Sequence, residues 1–238
     1  MFYGIYSLIR NTQGSATVSA ARALANARQV ISIEEAVGLF HERAVQQAFV
    51  GWRPFIEFWN FFYGTFHFAV TIVALVVLFR RFPARYPRWR NALAATTALG
   101  LVGFAAYPLM PPRLLPSSYR FVDTLRVYGS LWSFESGPVA KVSNQYAAMP
   151  SLHFSWSLWS TLALYPVLER GWSRAAVALY PLATLFAVVV TANHYVLDVV
   201  AGALVLAVGS VAGFALAVAT FGHPPDAPVP NRTTRLWP

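Results

Sequence analysis

The stretch TANHYVLD (191–198) holds a histidine and an aspartate four residues apart, in one of the most apolar parts of the chain. Between Ala175 and Gly222 no other side chain ionises near neutral pH. An aspartate at the centre of a membrane helix costs ~2.5–3.5 kcal/mol on insertion scales, so such groups are seldom kept without a use. On a helix His194 and Asp198 share one face. The carboxylate can accept one ring N–H, fix the tautomer, and make the other nitrogen a better base or nucleophile. A second histidine, His153, lies in PSLH (150–153), where a helix is expected to start with Ser151 as its cap. Free amides and the positive end of the helix dipole favour an anion there. Arg113 in PPR (111–113) offers a planar fork that suits a phosphate. Two histidines, an orienting carboxylate, an arginine and a helix N-terminus can carry phosphoryl transfer. One histidine would attack phosphorus and the other would protonate the leaving oxygen.

Such a site needs elements that bring three separate segments together. The chain has 238 residues, 57% hydrophobic and 11% charged, where a soluble chain carries about a quarter charged. Spans of roughly 20 apolar residues, enough to cross a ~30 Å hydrocarbon core, are expected near 57–79, 91–109, 151–168, 174–192 and 196–220. The expected fold is all-α, a polytopic membrane bundle over 57–222 with five spans and a possible sixth at the N-terminus. Residues 1–56 read as an interfacial segment, with an amphipathic helix through SIEEAVGLFHERAVQQAFV (32–50). Residues 223–238 read as a disordered tail. MFYGIYSLIR lacks a basic start and a small-residue cleavage site, so no cleavable signal peptide is expected.

Five arginines in RRFPARYPRWR (80–90) and two in ERGWSR (169–174) fall on the same side of a five-span bundle, which should be cytoplasmic. The 110–149 loop, the start of the third span and the 193–197 turn then face the extracytoplasmic side of the cell membrane together. The net charge of +9 belongs largely to arginines beside apolar spans, which suits membrane lipids and phosphate rather than nucleic acid. The absence of cysteine excludes disulfides and thiolate metal sites.

Each residue also has a plainer reading. His194 and Asp198 alone would suit a structural pair between helices, and Arg113 an arginine snorkelling to headgroups. Asp123 in FVDT reads as a cap or ion-pair partner within its loop. His67 lies mid-span with Tyr63 four residues before it on the same face, and both are assigned to the substrate cavity, with Asn193 and Tyr195 beside His194. His41 and His223 read as surface residues.

PSLH followed by HYVLD resembles the second and third signatures, Pro-Ser-x-His and His-x3-Asp, of the type 2 phosphatidic acid phosphatase superfamily. The order YPLMPPRLLP, FVDT, MPSLHFSWSL, NHYVLDVVAG is closest to the branch of inositol phosphorylceramide synthase and its bacterial relatives, over about residues 60–205. The resemblance implies a metal-independent enzyme without a cofactor, acting on a lipid or polyprenyl phosphate. It makes His194 the nucleophile that becomes a phosphohistidine, Asp198 its orienting group, His153 the acid for the leaving alcohol, and Ser151 a phosphate ligand. Two departures stand out. The first signature, Lys-x6-Arg-Pro, has no match, and Ala187-Val188 stand where the third signature has Ser-Arg. Arg113 is the candidate replacement cation, with Arg120 and Lys141 as further phosphate-binding candidates. The departures favour phosphotransfer to an alcohol, including headgroup transfer of the inositol phosphate type. A non-catalytic lipid-binding or transport relative is the alternative. Nothing in the sequence sets an oligomeric state.

Overall fold

The computed structural model describes residues 19–129 and 145–221. Helix α1 (Ala20–Ala36) is capped by Ser19, whose side chain accepts from the Arg22 amide. Gly38, at φ 71°, turns the chain into α2 (Glu42–Phe49). Helices α3 (Arg53–Arg81) and α4 (Tyr86–Ala106) each carry a proline in the first turn, where the missing N–H costs nothing. Two 3₁₀ turns, Pro112–Leu114 and Ser117–Tyr119, lead into the short α5 (Thr124–Tyr128). Helix α6 (Leu152–Leu164) runs on into a 3₁₀ turn, and α7 (Gly171–Val190) contains Pro181. Helix α8 (Val196–Phe221) is the last among the described residues. The described residues are all-α, as the sequence suggests.

Among the described residues three helices are long and apolar enough to cross a membrane: Arg53–Arg81, Gly171–Val190 and Val196–Thr220. The other two expected spans correspond to α4 and α6. Helix α4 opens on the charged YPRWRN, and α6 has only 13 residues, about 20 Å of rise. Large apolar side chains such as Ile72, Phe79, Leu204 and Val211 are exposed on the outside of the bundle, the arrangement that lipid tails favour.

The bundle has distinct ends. Leu78, Phe82, Tyr86, Leu164 and Leu168 share one cluster, so the arginine-rich turn after α3 and the turn before α7 lie together. Leu109, Met110, Tyr146 and Tyr195 pack at the other end. Along its length, α8 lies tight against α4 and α6. A Cβ on Gly209 would meet the backbone of Thr96, and one on Gly202 would sit 2.5 Å from the Ser151 carbonyl oxygen.

The N-terminal segment departs from a helix floating on the surface. It forms two helices, and Ala23, Ala27, Val30 and Ile31 join the cluster of Leu109, Met110 and Tyr195. Glu34, Glu42 and Gln46 are fully buried. The physical reason is that the start of α8 and the loop after α4 supply backbone donors and acceptors for them. The extreme N-terminus, Lys141 and the expected tail at 223–238 lie outside the described residues.

Candidate active site

The site is built around the five-residue turn from α7 to α8. Helix α7 ends where the Thr191 amide bonds the Ala187 carbonyl. Ala192 then adopts φ 54°, a left-handed conformation that costs a residue with a Cβ roughly 1 kcal/mol. The amides of Asn193 and His194 turn back to the Val188 carbonyl at 2.9 and 3.2 Å, and the Arg113 amide donates to Ala192 O at 2.8 Å. The turn is thereby tied to the PPR segment.

At the start of α8 one carboxylate oxygen serves two donors. Asp198 Oδ2 accepts from the Tyr195 amide at 2.9 Å and lies 3.2 Å from His194 Nδ1. With Asp198 ionised, the carboxylate only accepts, which puts the hydrogen on Nδ1 and the lone pair on Nε2. His194 Nε2 lies 3.3 Å from His153 Nδ1. A continuous path thus runs from Asp198 through His194 to His153.

His153 is placed by the first turn of α6. Ser151 caps that turn, its Oγ accepting from the Phe154 amide at 3.4 Å. The Ser151 amide donates to the Asp198 carbonyl at 2.9 Å, and Ser155 Oγ donates to the Gly202 carbonyl at 2.8 Å. The close approach at Gly202 allows both bonds. From α3, the Tyr63 ring stacks on His153 with centroids 4.3 Å apart, and the His67 ring meets it edge-on at 4.2 Å. His67 Nδ1 donates to the Tyr63 carbonyl at 3.0 Å.

These side chains surround a cavity of about 380 Å³. Tyr63, His67, Arg113, His153, Asn193 and His194 line it, with Phe68, Phe104, Leu152 and Trp156 forming apolar wall. Arg113 is nearly buried and pairs through Nη1 with Asp123 Oδ2 at 2.9 Å. Asp123 also caps α5 through the Arg126 amide, so it fills both roles read for it in the sequence. The cavity joins a cation, three histidines and a greasy wall, a combination that fits a phosphate ester with an apolar substituent.

Residues 28–218 match the profile of the PAP2 superfamily. The chain belongs to that superfamily. No curated protein and no solved structure matches it. PAP2 membership points to phosphatase or phosphotransferase chemistry on phosphate esters. The matched segment contains every candidate side chain of the cavity and reaches back into α1.

Not every candidate faces the cavity of this PAP2 protein. Ser151 is fully buried and caps α6 at its rim. Tyr195 is buried away from the cavity, its hydroxyl donating to the Met110 carbonyl at 3.0 Å. Arg120 is exposed and absent from the lining, while its carbonyl accepts from Gln47. Lys141 lies outside the described residues. Ala187 and Val188, in place of the usual Ser-Arg, are buried in the packed end of α7.

Two residues near the site escaped the sequence reading. Glu42 Oε1 accepts from the Val196 amide at 2.9 Å, and Glu34 Oε1 from the Leu197 amide at 2.7 Å. A signal for Glu34 was present. Ala23, Ala27, Val30 and Ile31 form the buried stripe of α1, and Glu34 continues it at helical spacing.

Proposed function

We propose that this protein is an integral membrane phosphatase or phosphotransferase that acts on a lipid or polyprenyl phosphate through a phosphohistidine on His194. The observation that carries the reading is the path from Asp198 to His194 to His153, at 3.2 and 3.3 Å, on the wall of a cavity that also holds Arg113.

The steps follow from the donors and acceptors. A phosphate ester enters the cavity with its charge toward Arg113 and displaces His153 from His194 Nε2. That nitrogen attacks phosphorus while Asp198 holds the Nδ1 hydrogen and stabilises the cationic ring. The ester P–O bond breaks, and His153 passes a proton to the departing oxygen. His153 then takes a proton from water or an alcohol as its oxygen attacks phosphorus, and the P–N bond breaks. Both proton transfers and the nucleophilic step are assigned to side chains, so no metal or cofactor is invoked. Leu152 and His153, in the first turn of α6, border the cavity and bring its positive end toward the phosphate.

The apolar wall supports a substrate with a hydrocarbon tail. The clustering of the arginine-rich turn with the turn before α7, at the end away from the histidines, supports a five-span bundle with an extracytoplasmic site. Water as acceptor gives a phosphatase; an alcohol gives a phosphotransferase. The synthase-like string around YPLMPPRLLP favours the alcohol, with transfer of a whole phospho-headgroup as a variant.

The test is phosphate release by detergent-purified protein from a panel of lipid phosphates, wild type against His194→Ala. Release by wild type only, unaffected by a chelator, is the expected result for the phosphatase. If nothing is released, labelled donors are supplied with candidate alcohols, and a labelled product is then expected. Equal activity in His194→Ala would overturn the assignment, and no phosphoenzyme or product under any condition would leave a lipid-binding relative. A rate that peaks between an acid and an alkaline limb is expected of the two-histidine mechanism.

A further inference from the structure

Glu34 and Glu42 come from different helices, are fully buried, and meet at the start of α8. Among the described residues neither carboxyl pairs with an arginine or lysine. Each spends Oε1 on an α8 amide, Glu34 on Leu197 and Glu42 on Val196, and each Oε2 is buried without a donor. The two carboxyls accept from consecutive amides, which places them side by side at one helix start. Two buried carboxylates held on neighbouring amides, with no cation beside them, repel and are poorly solvated. One proton between the Oε2 atoms gives both oxygens a partner and lowers the pair's charge to that of one carboxylate.

We propose that Glu34 and Glu42 are positioning residues for the His194–Asp198 pair, sharing one proton through their Oε2 atoms and fixing the first turn of α8 through their Oε1 atoms. The turn they hold leaves no slack. The amides of Tyr195, Val196 and Leu197 are bound in sequence by Asp198, Glu42 and Glu34. His194 precedes this run directly, so its ring direction depends on where the run is anchored.

Burial, with Glu42 and Asp198 nearby, pushes the Glu34 carboxyl up to about 8 despite its bond to the Leu197 amide. The groups that face the pair are Asp198 on α8, with His194 bonded to it, and Tyr195 from the turn before α8. An acid with a raised folded pKa stabilises the fold fully below its unfolded pKa. That contribution is lost as pH rises from about 4.5 to about 8.

The inference rests on His194 being the reactive histidine, so its test includes readouts that need no turnover. The full chain in detergent is melted across this pH range as wild type, Glu34→Gln, Glu42→Gln and the double variant. Wild type should lose melting temperature with rising pH, and Glu34→Gln should flatten that slope, since its amide replaces the shared proton permanently. The second readout is carbethoxylation of His194 by diethyl pyrocarbonate, followed by peptide mass spectrometry against the exposed His41. Glu34→Ala should raise the His194 rate several-fold, while Glu34→Gln stays at the wild-type rate. Should Glu34→Ala fail to fold, the double Gln variant takes its place. Its two amide NH₂ groups oppose each other without a shared proton, so it should behave unlike either single variant.

An unchanged slope in Glu34→Gln would overturn the shared proton. An unchanged His194 rate in Glu34→Ala, or a double variant like the singles, would overturn the positioning role. Lack of turnover by wild type would count against the proposed function and leave these results readable.

Discussion

Two helices begin beside the cavity, α6 and α8, and the rest of the chain treats their first turns in opposite ways. At α8 the amides of Tyr195, Val196 and Leu197 are all taken by carboxylate oxygens, from Asp198, Glu42 and Glu34. At α6 one serine hydroxyl caps the Phe154 amide, and Leu152 and His153 border open space. A helix start attracts anions whether these are side chains or ligands. The chain therefore supplies its own anions to the turn that must not move, and leaves the other available to a bound one. On the proposed mechanism α8 is the frame that aims the nucleophile, and α6 is the receptor for charge.

Removing the group that the closed end aims should cost the most activity. His194→Ala should lower turnover by about 10³-fold or more, with little change in melting temperature, because the amides of the frame keep their partners. His153→Ala should cost a similar factor with substrates that have a poor leaving group, and less with an activated ester that needs no proton. Phosphate release from the two ester types, measured on both variants, checks this asymmetry.

A smaller effect is expected at the cation on the open side. Arg113 lines the cavity and is held by Asp123 at 2.9 Å and by the turn of Ala192 through its own amide. Arg113→Ala should reduce kcat/KM by roughly 10²-fold, the range for losing a fixed charged donor at a developing charge. Lysine should restore little of it, since the fork and the Asp123 geometry are lost together. Full activity in Arg113→Lys would instead mean that any positive charge suffices.

How much of this was legible in the sequence differs between the two ends. The open end was readable, because PSLH announces its own cap and histidine within four residues. His194 and Asp198 were readable for the same reason, since i,i+4 spacing is a local property. The outer half of the closed end was not. Glu34 and Glu42 act at a distance of more than 150 residues from Val196 and Leu197, and charges in a helix ordinarily signal a wet face. The short α6 and the break at Gly38 were also missed, because hydropathy measures apolar content and not where a capping bond ends a helix. Arg120 and Tyr195 show the converse error. Each adjoins a motif, yet chain proximity does not determine where a side chain points, and neither lines the cavity.

The contact between the two ends can be strained directly. A Cβ on Gly202 would lie 2.5 Å from Ser151 O and 3.0 Å from Ser155 Oγ. Gly202→Ala should therefore push α8 from α6 and cost about 1–3 kcal/mol, as overpacking usually does. Because it lengthens the His194–His153 approach as well, turnover should fall further than stability alone requires. A melt and a turnover assay on the same preparation separate the two losses.

The smallest effect falls on Ser151, where the cap and any contact with phosphate use the same hydroxyl. Ser151→Ala should cost about 1 kcal/mol through the lost cap, whereas glycine at an N-cap costs only a few tenths. Both variants lack the hydroxyl, and both keep the backbone amide that donates to the Asp198 carbonyl. If Ser151 only caps, turnover should follow stability, with Ser151→Gly near wild type and Ser151→Ala below it. If the hydroxyl also binds phosphate, the two variants should share one raised KM while their melting temperatures differ. The geometry predicts the first pattern, because Ser151 is fully buried, its hydroxyl caps the Phe154 amide, and it does not line the cavity.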